Sequence, residues 1–212
     1  MIKEVLGNIM SPLPLSFAGV LVVVGLLGGW LIYALAGDKT DAKIGEDKDK
    51  GFLFLSAIVF GRMVLQLNFF PMQYKSKIMK GDSKNLRTNM AIYKPLNQEG
   101  GTDETSKAIV MVADGDVGKY NRANRSLTHF TETVPSVLFM LFLIGPIFPL
   151  ATFVIVVVYS LGRVLHQRGE AESYGAHGKG FMLSLLSVFV LEGLCWICAV
   201  KSFFPGLKVP QF

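Results

Sequence analysis

Arg122, Arg125, His129 and Glu132 stand 3, 4 and 3 residues apart. On an α-helix each residue turns by about 100°, so the four fall within a sector of roughly 80°, one above another. Arg163, His166 and Glu170 repeat the device at spacings of 3 and 4, within about 60°. One or two ion pairs suffice to fix the register of a helical bundle. Three arginines, two histidines and two glutamates exceed that need. Guanidinium forks grip carboxylates in bidentate fashion, so surplus arginine points to an anionic ligand. The competing explanation is an internal ion-pair network that only fixes helix packing.

The elements that must carry these stripes are apolar. Of the 212 residues 51% are hydrophobic, and the mean hydropathy is +0.44. The apolar residues come in blocks of bilayer length rather than at amphipathic spacing. The chain therefore reads as an all-α integral membrane protein. The first apolar segment, residues 13–37, carries no charge and ends in Trp30 and Tyr33, which suit an interface. Gly25 and Gly29 in it form a small-x-x-x-small pair. A second, 51–72, contains Arg62, Gln66 and Asn68 and either spans or lies at the interface. The basic run QYKSKIMKGDSK after it looks like a stop on the cytoplasmic side. A polar loop is expected over 73–116, with a flexible NQEGGTDETSK stretch and a short hairpin or edge strand in IVMVADGDV. Three further spans occupy 117–203: one breaks at GPIFP, one covers about 149–168 and one about 179–203. The first stripe therefore runs from a polar end into membrane level, with Ala123, Leu127, Phe130 and Val134 on the opposite faces.

A formal net charge of +5 invites a nucleic-acid reading. The basic residues lie in loops between apolar spans with no patch interleaved with aromatics, so no nucleic-acid partner is expected. Cys195 and Cys198 form a C-x-x-C inside an apolar helix and read as packing residues. No metal site is expected. Glu192 is a lone carboxylate within the last span, and Arg62 is its candidate partner. The N-terminal MIKEVLGNIMSPLP lacks the layout of a signal peptide. The first apolar helix is then expected to direct insertion, into the endoplasmic reticulum or into a mitochondrial or plastid membrane.

The stretch RANRSLTHFTETVP resembles the signature of the MAPEG family, the membrane-associated proteins in eicosanoid and glutathione metabolism. That signature is R-x-x-R, an Asn four residues on, a Glu three later and a Pro three after that. Arg122, Arg125, Glu132 and Pro135 match in type and spacing, and His129 stands where the family has Asn. The lead-in DGDVGKYN and the stretch YSLGRVLH at 159–166 resemble the microsomal prostaglandin E synthase and glutathione transferase groups. The resemblance implies a four-helix bundle, here with one extra N-terminal transmembrane or interfacial helix. It implies a homotrimer binding glutathione between subunits near the cytosolic face.

Carried over by position, Arg122 and Arg125 would hold glutathione carboxylates and Glu132 its amino group. His129, Arg163 and His166 would line the site. A thiolate would then attack a lipophilic electrophile or lipid peroxide from the bilayer. The family's thiolate-stabilising Arg near the start of the last helix is absent, which leaves His177 and Lys179 as candidates there. Glu170 would disfavour a thiolate beside it. The alternative is a catalytically silent accessory subunit of a larger membrane complex, respiratory or photosynthetic, or a member that only binds lipid.

Overall fold

A computed structural model describes residues 15–36, 48–79, 90–95 and 109–207. The N-terminal MIKEVLGNIMSPLP, most of the charged linker after Ala36 and the NQEGGTDETSK stretch lie outside the described residues. The chain divides into two units, one before and one after the Lys50–Gly51 junction. The first holds helix α1 (Leu15–Ala36), an unbroken apolar segment. Its large side chains are exposed, as suits a surface that faces lipid.

The second unit is a bundle of four helices: α2 (Lys50–Met79), α3 (Gly115–Ile144), α4 (Pro149–Glu172) and α5 (Gly178–Phe203). Among the described residues, four segments are long and apolar enough to cross a membrane: Lys50–Ile78, Gly115–Ile144, Pro149–Glu172 and Gly178–Phe203. The protein is an integral membrane protein with a helical bundle core.

Local sequence explains the joints. Pro149 starts α4, where its missing N–H and fixed φ cost nothing. The α3–α4 turn spans only 145–148, which forces the two helices to be antiparallel neighbours. The turn between α4 and α5 contains Gly175 at φ +87°, a left-handed conformation that a side chain would strain. Pro135 and Pro71 both sit inside helices. Thr131, Thr133 and Ser136 around Pro135 send their hydroxyls back to carbonyls of the preceding turn, so these polar groups are satisfied within α3.

The core runs through the bundle. Phe60, Met63 and Leu67 of α2 meet Leu127, Phe130 and Val137 of α3, Ile155, Val156 and Tyr159 of α4, and Leu191 of α5. Phe60 stacks on Tyr159 with ring centroids 6.2 Å apart. At one end Glu172 ties three helices together. It accepts from Tyr74 of α2 at 2.9 Å and pairs with Lys119 of α3 at 2.6 Å.

The helices α4 and α5 approach most closely. A Cβ at Gly162 would lie 2.6 Å from the Ser184 nitrogen, and one at Gly180 would overlap the backbone nitrogen of His166. These glycines let backbone meet backbone, and the packing distance follows from them.

Two expectations are corrected, and a third is decided between its alternatives. The second helix does not end at 72 but runs to Met79, so the polar loop loses its first seven residues, 73–79. Lys75 and Lys77 are good helix formers, and Tyr74 is anchored through Glu172. The rest of the loop contains a two-stranded antiparallel sheet, Tyr93–Pro95 (β1) against Ile109–Met111 (β2). Of the two alternatives for IVMVADGDV, the edge strand is the one observed, paired with a distant segment. Last, Glu192 does not pair with Arg62. It is exposed and accepts a long hydrogen bond from Trp196 Nε1 one turn on, at 3.4 Å.

Candidate functional site

A cleft of about 290 Å³ opens between α3, α4 and the start of α5, lined by Arg125, Ser126, His129, His166, Glu170, Tyr174, His177 and Phe181. The chain has three histidines, and all of them line this cleft. The His129 and His166 rings are 5.9 Å apart, and those of His166 and His177 are 5.2 Å apart, edge to face. Phe181 packs on both His129 and His166.

Each ring is placed by a separate feature of the fold. His129 and His166 come from facing helices, and the glycine contact of α4 with α5 brings His166 near the turn that carries His177. Glu170, itself buried, holds His177 Nδ1 at 2.6 Å from its Oε2. A second, inner cavity of about 210 Å³ shares His129 and Phe181 with the cleft. Thr133, Ser136, Tyr159 and Ser184 place hydroxyls along it.

Arg163 stands at the wall of the inner cavity and is only 2% exposed. Its guanidinium meets neutral acceptors: Nη2 donates to the Ser126 carbonyl at 3.3 Å, and Nη1 lies 3.5 Å from His129 Nδ1. Its face covers the Phe130 ring. The buried Nε has no hydrogen-bond partner. A guanidinium held away from water without a counter-charge costs several kcal/mol. Such a group fits an anion delivered by a ligand.

The first stripe divides. Arg122 turns inward, and its donors are taken by the main chain. Nε donates to the carbonyls of Glu170 and Ala171, Nη2 to those of Ala171 and Glu172, and Nη1 to that of Ala113. These include the last carbonyls of α4, which have no partner within the helix. Arg122 is thus a cap for α4, with Tyr174 lying on its guanidinium at 5.3 Å. It does not line this cleft, whose rim Arg125 occupies, but a neighbouring cavity with Lys119 and Tyr174.

Arg125 stays exposed at the cleft rim, and among the described residues it makes no hydrogen bond or ion pair. Glu132 is also exposed and is not among the residues that line this cleft. Lys179 points outward and lines none of the cavity, since His177 and Phe181 occupy the inner side of that turn. Among the described residues no group of three or more His, Cys, Asp or Glu is arranged to hold a metal.

A model of the MAPEG family matches residues 52–200, well over half of the chain. The chain belongs to the MAPEG family. The match covers α2 through nearly all of α5 and leaves α1 outside it. No curated protein and no solved structure matches the chain.

Within the MAPEG bundle, sequence reasoning missed Ser126, Tyr174 and Phe181 as cleft residues. Phe181 follows His177 by one helical turn, so the start of α5 carried that signal. Asn121 was missed as well. Its side chain accepts from Ile92 N and donates to the carbonyls of Ile92 and Val112. It clamps both strands of the loop to the first turns of α3, with Asn124 donating to Met90 beside it.

Proposed function

We propose that this MAPEG protein is a glutathione-dependent transferase or peroxidase acting on lipophilic electrophiles that reach it from the bilayer. The observation that carries the reading is the pair of unneutralised cations, Arg125 at the rim of the cleft and Arg163 at the wall of the inner cavity beside it. Neither faces an ion-pair carboxylate among the described residues. A tripeptide with two carboxylates supplies the missing charge, and guanidinium is the group that binds carboxylate by a planar fork. In this reading Arg125 takes a carboxylate, His129 and His166 line the bound peptide, and Arg163 lies nearest the reacting end.

Glu132 belongs to the same reading through a neighbouring subunit. Arg125, Thr128 and Glu132 follow one another on an exposed face of a membrane-spanning helix. A carboxylate left against lipid is costly. A homotrimer that packs another copy on this face covers it and completes the site with Glu132 as acceptor of the glutathione amino group.

The test is calorimetry with glutathione on detergent-purified protein. Wild type is expected to bind in the micromolar to millimolar range. Arg125→Ala and Glu132→Ala are each expected to lose binding while remaining folded. Binding that survives both substitutions would sink the assigned site.

A second reading is a silent MAPEG scaffold within a larger membrane complex. It is favoured by the commitment of Arg122 to main-chain carbonyls and by the outward position of Lys179. Isolation in mild detergent as a free homotrimer with glutathione turnover would count against it.

A further inference from the structure

We propose that Glu170 and His177 form a carboxylate–imidazole dyad that takes the proton from a thiol bound in the cleft. The identity of the thiol rests on the glutathione reading above; the dyad itself rests on geometry.

Glu170 is 7% exposed, and its carboxylate is directed at a histidine rather than at a lysine or arginine. His177 Nδ1 lies 2.6 Å from Glu170 Oε2, close enough to share a hydrogen, although the ring is not aligned for a hydrogen bond in this conformation. Once a small ring rotation aligns them, a neutral His177 keeps its hydrogen on Nδ1 and its lone pair on Nε2. A third of the His177 side chain is exposed. The other two rings are less available. His129 Nδ1 faces the Arg163 guanidinium at 3.5 Å, and His166 is 6% exposed with a buried, unpartnered Nδ1.

The ionisable groups around His177 are Glu170 and His166 on α4, Arg125 and His129 across the cleft on α3, Tyr174 in the turn and Lys179 on the outer side of its own helix. Phe181, one turn further along α5, lines the cleft beside His177.

The step balances without a further reactant. The S–H proton passes to His177 Nε2 and leaves the electron pair on sulfur. That pair forms the carbon–sulfur bond while the electrophile's bond to its leaving group breaks. The imidazolium then returns the proton to the departing atom, or to the alkoxide of an opened ring. Glu170 touches no reactant. It is a positioning residue that fixes the tautomer and stabilises the imidazolium. The same arrangement also answers the objection that a free Glu170 would repel a thiolate, because its charge is directed at His177.

The competing role is a lock on the turn between α4 and α5, and two readouts separate it from the dyad. With three histidines in the chain, nitrogen-15 labelling of histidine gives three ring systems, each assigned by a His→Gln variant. Ligand-free wild type is expected to show His177 with its proton on Nδ1. Finding that proton on Nε2 would overturn the dyad whatever the ligand.

The second readout is the ultraviolet absorbance of thiolate per bound glutathione, followed against pH. An ordinary thiol ionises near about pH 8.5. Wild type is expected to form thiolate below that, and His177→Gln to lower the thiolate fraction at neutral pH roughly tenfold. Glu170→Gln is expected to fall between the two. A profile unchanged in both variants would overturn the proposal. Failure of wild type to bind glutathione at all would overturn the glutathione reading, and the nitrogen shifts would still decide the dyad.

Discussion

Arg122→Met separates a helix cap from a ligand contact. Methionine keeps the apolar stem and removes every donor. Five hydrogen bonds disappear, to the carbonyls of Ala113, Glu170, Ala171 and Glu172. Not all of them matter equally. Glu172 is exposed and Ala113 half-buried, so water can replace the guanidinium there. Glu170 and Ala171 are buried, and their carbonyls are left unpaired at about 1–3 kcal/mol each. The Tyr174 ring also loses its cation, a small loss at a partly exposed site. The total is about 4 kcal/mol. For a chain of this size that corresponds to a fall in Tm of roughly 10 °C. The assay is thermal unfolding in mild detergent without ligand, beside Arg125→Ala as the cleft control, which is expected to move Tm by no more than about 2 °C. An Arg122→Met protein that melts with wild type and has lost glutathione binding would refute the cap and return Arg122 to the ligand.

Two further predictions concern the frame around the cleft. Gly180→Ala is expected to destabilise the bundle by about 1–3 kcal/mol or more, because its Cβ meets the backbone of α4 and nothing there can yield cheaply. Gly193→Ala, in the same helix with open space around it, is expected to be neutral or to stabilise by up to about 1 kcal/mol; thermal unfolding of the two checks the sign. Asn121→Ala is expected to release the strands at Ile92 and Val112 from α3 with little change in Tm. Hydrogen exchange at the Ile92 amide is expected to accelerate at least tenfold, and unchanged protection there would show that the loop is held by something else.

What the sequence made legible followed from hydropathy and periodicity, and each signal failed where its physics stopped. Hydropathy located the apolar spans but ended the second helix at 72, because it reports the surroundings of a side chain and not the path of the backbone. The helix continues to Met79 through residues that leave the apolar phase without leaving the helix. Periodicity put Arg122, Arg125, His129 and Glu132 on one face. Within that face Arg122 and His129 lie about 20° apart, and Arg125 and Glu132 lie about 40–80° further round. The edge of the covered surface falls between the two pairs. Arg122 and His129 reach α4, while Arg125 and Glu132 remain exposed. No sequence period reports where that edge lies, since it depends on where the neighbouring helix crosses.

The pairing of Glu170 with His177 was hidden for a related reason. The two residues are separated by the turn after α4, and a helical phase does not carry across a turn. The turn's geometry is set by Gly175 at positive φ and by backbone contacts at Gly162, Gly169 and Gly180. A Cβ at Gly169 would sit 2.5 Å from the Ala176 carbonyl oxygen, so the last turn of α4 can lie against the residue before His177 only where a side chain is missing. The glycines therefore do the positioning that the ionisable residues need. In a chain whose arginines and histidines announce a site, the glycines decide which of them meet.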